Sequence, residues 1–575
     1  MDSPTDRRRV LKVLSAAGIG SAVFGRALQA VAADASKVTE DMIREASWIA
    51  GVPINDEQRK MMVEGMNEAA VDYEKLRAIP IDNAVSPAVT FDPTRMASVS
   101  RPYLESAKPK FSGKHILPPS SKEDAAFAPV TLQSEWLRTK TLSSTELTKL
   151  YLERIERLDP KLHAVITLTP ERALKAAAAA DADLAKGRRR HPLQGIPYGA
   201  KDLLAVAGHR TTWGSVPYKD QVLETTAAVV EKLDTAGAVL IAKTAVGELA
   251  WGDVWFDGMC RNPWKLDQGS SGSSAGSASL VAAGCASFAI GTETWGSIVS
   301  PATRCGVTGL RPTFGRVSRY GAMALSWTMD KIGPIARSVA DCALVFAAIH
   351  GSDWRDPSAR QVPFTWPISR KPGSIRVGYV KSLFEADYTK RAGKDEDKRR
   401  YEEWKTFDAR TLQTLRSIGF DVKPIELAIS VPVNPLSSIL TAEAACAFDV
   451  LLRDGRVETM VRQVPDAWPN VFRQGEMIPA VEYLRAQRLR TIVMREMAQV
   501  MNQVDVYVVP SFGGDNLLLT NLTGHPAVVL PNGFTEVDGT PTSITFQGGL
   551  DNDDLTLAVA DAYQHATDFH TKHPV

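Results

Sequence analysis

The chain is poor in the features that would tie it to a metal, a nucleic acid or a membrane. Its five cysteines, Cys260, Cys285, Cys305, Cys342 and Cys446, are odd in number and widely spaced, which excludes a paired zinc spacing and a disulfide framework. Set among apolar neighbours, they read as core residues. Lys+Arg 67 against Asp+Glu 66 leaves a net charge of +1, so no basic excess points to a phosphate backbone, and nucleic acid is not expected as a partner. The nine histidines include no His-Glu-x-x-His arrangement; His209 and His525 read as structural or surface residues, and no metal or cofactor is expected. No internal repeat of about 20 to 50 residues is visible.

What is present begins with an address. Arg7-Arg8-Arg9-Val10-Leu11-Lys12 precedes a weakly apolar run from Val13 to Phe24, and Ala30-Val31-Ala32 supplies a small-residue cleavage site. The layout resembles a twin-arginine export signal over residues 1–33, which places the mature protein in the periplasm or otherwise outside the cytoplasm. Arg26 interrupts the apolar stretch short of the roughly 20 residues that span a bilayer, so no stable membrane insertion is expected after processing. Export of an already folded chain would account for unpaired cysteines.

Hydrophobic residues at 44% and charged residues at 23% are the proportions of a globular protein. Asn55 with Gln58 forms a capping box ahead of a helix through Tyr73 and Leu76. Eight prolines between Pro80 and Pro129 predict an extended stretch, so residues 34–124 read as a helical and extended N-terminal extension and 125–575 as the main domain. Ser143 with Glu146 makes a second capping box, followed by Leu147, Tyr151, Ile155 and Leu158 at helical spacing. A helix over 225–235 closed by Gly237, and strands at 239–242, 288–290, 375–380 and 506–509, predict an α/β fold with a largely buried sheet.

The segment Gly269-Ser270-Ser271-Gly272-Ser273-Ser274-Ala275-Gly276-Ser277-Ala278-Ser279 admits three readings. Its composition suits a flexible linker, but it runs straight into core-forming sequence. Gly272-Ser273-Ser274-Ala275-Gly276 matches the nucleophile elbow G-x-S-x-G, with Ser274 as nucleophile, yet the polar Lys265-Leu266-Asp267-Gln268 stands where a buried strand is required. The third reading takes the segment together with its neighbours. Gly195-Ile196-Pro197-Tyr198-Gly199-Ala200-Lys201-Asp202, Arg261-Asn262-Pro263-Trp264, Ser273-Ser274-Ala275-Gly276-Ser277, Gly291-Thr292-Glu293-Thr294-Trp295-Gly296-Ser297-Ile298 and Cys305-Gly306-Val307-Thr308-Gly309-Leu310-Arg311-Pro312 resemble the successive landmarks of the amidase signature family. Ser273 follows Lys201 by 72 residues and Ser297 follows Ser273 by 24, close to that family's intervals. Asn521-Leu522-Thr523-Gly524-His525-Pro526 and Leu530-Pro531-Asn532-Gly533 extend the likeness toward the C-terminus. The family includes fatty acid amide hydrolase and the glutaminase component of the glutamyl-tRNA amidotransferase.

The resemblance implies a large mixed sheet covered by helices on both faces, and hydrolysis of carbon–nitrogen amide bonds in a small-molecule substrate without cofactor or metal. It implies Ser297 as nucleophile, Ser273 as the bridging serine on a cis peptide, and Lys201 as base. Backbone N–H groups of Thr294, Trp295, Gly296 and Ser297 would hold the oxyanion. Attack on an amide needs an activated hydroxyl, a proton for the leaving nitrogen and donors for the developing charge. The apolar run Ile196 to Ala200 is expected to bury the Lys201 amine, and burial disfavours its charged form. Trp295 suits either core packing or a wall of the acyl pocket. The chain departs from the family pattern at Glu293 and Trp295, where Asp and Gly are usual, at Ala275 for the upstream glycine, and at Val299 where Arg is common. The alternatives are a glutaminase component of a tRNA-dependent amidotransferase and a non-catalytic binding protein on the same fold, with a homodimer left open.

Overall fold

A computed structural model describes residues 37–81, 87–89, 117–391 and 394–574; the export signal lies outside them. The chain divides into two compact units, one formed by Met1–Ser86 with Pro435–Leu489, the other by Pro87–Asn434 with Arg490–Val575.

The smaller unit is helical. Asn55 and Gln58 close their capping box, and the helix Asp56–Arg77 that follows buries Met62, Tyr73 and Leu76. Trp468 stacks on Phe472 at 5.2 Å, and Phe472 on Phe448 at 5.3 Å. Cys446 sits on the outer side of the helix Ser438–Ala447 and is exposed. The reading of all five cysteines as core therefore holds for four and fails for Cys446, because that helix turns Glu443, Ala444 and Ala445 inward instead.

The larger unit is built on a mixed sheet. Its strands are β1 Val165–Leu168, β2 Pro197–Lys201, β3 Val239–Thr244, β8 Phe288–Glu293, β9 Thr308–Arg311, β10 Lys331–Ala336, β11 Val377–Val380, β12 Val422–Ile425, β13 Val506–Pro510, β14 Ala527–Phe534 and β15 Pro541–Gly548. Two short ribbons, β4 Val254–Trp255 with β5 Gly258–Met259 and β6 Arg261–Asn262 with β7 Lys265–Gly269, stand apart. The order across the 11-stranded sheet is β1-β3-β2-β8-β10-β9-β14-β15-β13-β11-β12. The pairs β3/β2, β2/β8, β13/β11 and β11/β12 are parallel, and the other neighbours are antiparallel. Strands β2, β3, β8, β9, β10, β13 and β15 are buried along their whole length, as near-continuous apolar runs require.

Local chemistry sets the helix ends. Ser143 and Glu146 cap the helix Ser144–Leu162, which buries Leu147, Tyr151 and Ile155. Gly237, at φ 80°, ends the helix Ala228–Ala236. The helix Ala275–Ala282 is buried throughout and packs on β8. Ala278, Val281 and Ala282 join Ala289 of β8 and Ile298, Val299 and Ala302 in one apolar cluster. That cluster is the bed on which the two serine-bearing turns lie.

Candidate active site

Three turns of the larger unit converge at the C-terminal ends of the parallel strands β2 and β8. Lys201 is the last residue of β2, Ser273 precedes the helix Ala275–Ala282, and Ser297 follows β8. The Ser/Gly segment is no linker, since Ser270, Ser273, Ser274, Ser277 and Ser279 are all buried. Nor is it a nucleophile elbow. Ser274 is sealed inside, its Oγ donating to Thr292 O and accepting from Thr292 N, both at 3.1 Å, while the preceding β7 is part of a half-exposed ribbon.

Lys201 is completely buried. Its Nζ donates to Ser273 Oγ at 2.8 Å, to Thr292 Oγ1 at 2.8 Å and to Thr292 O at 3.4 Å. Among the described residues no carboxylate lies within ion-pair distance of it. Burial drives its pKa well below the ordinary lysine value, with Asp330 and Glu293 opposing from further away. The next lysine in space makes the contrast. Lys243, on the neighbouring β3, is equally buried but pairs with Asp202 Oδ1 at 2.7 Å. Asp202 also accepts from Thr212 N at 2.8 Å. Of these two buried amines, Lys201 is the one left to hydroxyls and a carbonyl.

The peptide bond between Gly272 and Ser273 is cis. Glycine is required at 272 by close approach: a Cβ there would stand 1.7 Å from Gly252 O. Ser274 N donates to Ser297 O at 3.2 Å, which lays the Ser297 turn against the residue following Ser273. Exposure is graded across the three residues, from 0% at Lys201 through 1% at Ser273 to 9% at Ser297, so only Ser297 reaches the surface. Among the described residues Ser297 Oγ makes no hydrogen bond; the geometry joins Lys201 to Ser273 and leaves the Ser297 hydroxyl free.

Gly296 takes φ 86°, a left-handed conformation that side chains rarely adopt. The backbone N–H groups of Trp295, Gly296 and Ser297 have no partner among the described residues, so the turn presents unused donors. Trp295 is 42% exposed, which excludes the core-packing reading. Thr294 Oγ1 donates to Asp330 Oδ1 at 2.5 Å, and Asp330 Oδ2 accepts from Leu325 N at 2.8 Å and Ser326 N at 3.0 Å.

A network that the sequence did not disclose braces this turn from below. Glu293 Oε2 accepts from Ile298 N at 2.8 Å and Val299 N at 2.9 Å, directly after Ser297. Its Oε1 meets Arg311 Nη1 at 2.8 Å and Asn521 Nδ2 at 2.8 Å. Burial raises the pKa of this carboxyl, but the Arg311 charge and these donors outweigh it and bring it down to about 2. Arg311 also donates to Thr520 Oγ1 at 2.9 Å and His525 O at 3.0 Å. His525 is buried, its Nδ1 2.8 Å from Thr523 Oγ1, and burial lowers its pKa to about 4. The only sequence signal for this network was the exchange at Glu293 and Val299; the acid finds its arginine on β9 instead of in the turn.

Comparison with known proteins agrees with this arrangement. The model of the Amidase family matches residues 146–517. The glutamyl-tRNA(Gln) amidotransferase component of Methylococcus capsulatus that belongs to this comparison is 33% identical over 488 residues, covering 76% of this chain and 96% of that protein. The solved peptide amidase of Stenotrophomonas maltophilia is 29% identical with a TM-score of 0.65, covering 76% of this chain and 97% of that one. An amidase family protein from Bacillus anthracis is 25% identical with a TM-score of 0.67, covering 79% and 93%. The chain belongs to the amidase signature family, a class of hydrolases acting on carbon–nitrogen amide bonds.

Proposed function

We propose that the protein is a free-standing hydrolase of linear amides, working through an acyl-enzyme on Ser297. The observation that carries this reading is the fully buried Lys201 amine, without a carboxylate partner, at 2.8 Å from Ser273 Oγ. Neutral Lys201 accepts the Ser273 proton as Ser273 accepts that of Ser297, and the Ser297 oxygen attacks the amide carbon. The N–H groups of Thr294, Trp295, Gly296 and Ser297 take the negative charge that appears on the carbonyl oxygen. The proton returns along the two serines to the nitrogen, the carbon–nitrogen bond breaks, and amine or ammonia leaves. Water then attacks the ester on Ser297 by the same proton route and releases the carboxylate. Because Arg311 neutralises Glu293, the carboxylate beneath the turn does not oppose the developing oxyanion.

The test is release of ammonia or amine from a panel of simple amides by the purified protein alone, abolished in Ser297→Ala. Dependence on tRNA and on a partner protein would instead favour the glutaminase component of an amidotransferase, the reading supported by the name carried by the 33% identical relative. The twin-arginine-like segment argues against that role, which is performed beside tRNA in the cytoplasm. Fractionation of cells expressing the chain with Arg7 and Arg8 intact or both changed to Lys tests export; cytoplasmic retention of the intact chain removes it. Failure of a fluorophosphonate probe to label Ser297 would point to a non-catalytic binding protein.

A further inference from the structure

Beside the relay lies a cavity of about 460 Å³, walled by Leu203, Met323, Leu325, Trp327 and Ile332. It reaches the relay through one side chain. Thr292 lines the cavity and also holds Lys201 Nζ at 2.8 Å, while Ile332 stands opposite Thr292 in the β8/β10 register. Thr294, the first residue of the donor turn, lines it as well. The size lies within the range of small-molecule sites.

The charged groups around this cavity are already committed. Arg319 pairs with Asp356 at 3.1 Å and donates to Trp327 O at 2.7 Å. Arg355 pairs with Glu231 and with Asp353, and lies over the Tyr320 ring at 4.0 Å. Asp330 accepts from Thr294, Leu325 and Ser326, and Lys331 donates to Met329 O. A charged substituent entering here would lose its water and find no free counter-charge. The wall is also held in place, since Arg490 donates to Thr328 Oγ1 at 2.7 Å and to Thr328 O at 2.8 Å.

We propose that this cavity is the specificity site and takes an uncharged apolar portion of the substrate, of the size of a phenylalkyl group, next to the scissile amide. The proposal rests on the reading of Lys201, Ser273 and Ser297 as the relay, so it deepens the hydrolase assignment by naming a class: neutral aryl or branched-alkyl amides.

Binding tests it without turnover. In the Ser297→Ala protein, calorimetry with 4-phenylbutanamide and with two analogues carrying a carboxylate or an ammonium on the ring should show the neutral amide bound at least tenfold more tightly than either. Ala324→Phe, which narrows the cavity from a half-buried wall position, should weaken the neutral amide at least tenfold. Trp327→Ala, which opens the exposed side, should reduce the discrimination between neutral and charged rings. Equal affinity for the charged rings, or unchanged binding in both cavity variants, overturns the proposal. Tight neutral binding with no hydrolysis by the unaltered protein would leave the cavity assignment standing and sink the hydrolase reading instead.

Discussion

Arg311 and Glu293 form an ion pair of 2.8 Å in which both side chains are completely buried. Such a pair gains little over apolar packing but is costly to break on one side, because the remaining charge loses its partner inside the protein. Arg311→Met is therefore expected to destabilise the fold by about 3–5 kcal/mol. Glu293→Gln with Arg311→Met in one chain should recover part of that loss. Denaturant unfolding of the single and double variants checks this; a single variant as stable as the parent would show that the pair carries no structural load.

Lys201→Ala should leave the protein folded and reduce acylation by about 10²–10⁴, the range for loss of a positioned base. The comparison that matters is with Lys243→Ala. Lys243 is held by Asp202 at 2.7 Å and stands outside the hydroxyl relay, so its removal should lower stability more than turnover per folded molecule. Near-normal turnover in folded Lys201→Ala would end its assignment as base.

The pH dependence follows from burial. Lys201 has its pKa pushed well below the ordinary 10.5, and only the deprotonated amine accepts a proton, so kcat/KM should rise as pH increases through that lowered value and then level off. Thr292→Val removes one acceptor that favours the charged amine, so the rising limb should move to lower pH. A profile flat down to about pH 4, or one that rises only near the unperturbed lysine value, contradicts the mechanism.

What could be read from the sequence is what local chemistry decides. Asn55, Ser143 and Gly237 announce helix ends because each acts on backbone groups within a turn of itself. Lys201, Ser273 and Ser297 were legible because the reaction demands those side chains and the family keeps them in order. The Glu293 network was not, since Arg311 lies 18 positions away on β9 and Asn521 lies 228 away, with no period linking them. The adjacency of β9 to β14 and of β13 to β11 is equally invisible, because buried strands all read as the same apolar run. Cys446 fails as a core residue for a related reason: a short Ala-rich helix gives no clear sign of which side faces inward.

The donor turn offers the last test. Gly296 combines φ 86° with tight surroundings, for an added Cβ would meet Ser300 Oγ at 3.0 Å and Leu517 Cδ2 at 3.1 Å. Gly296→Ala should therefore strain the backbone by about 1–2 kcal/mol and tilt the N–H groups of Trp295, Gly296 and Ser297 away from the oxyanion. The expected outcome is a kcat lowered by at least tenfold, with a smaller change in KM, because the interaction lost is made mainly in the transition state. Adding Leu517→Ala relieves the crowding but not the positive φ, so it should return some stability and little turnover. If Gly296→Ala folds and keeps its full kcat, the N–H groups of this turn are not the oxyanion donors.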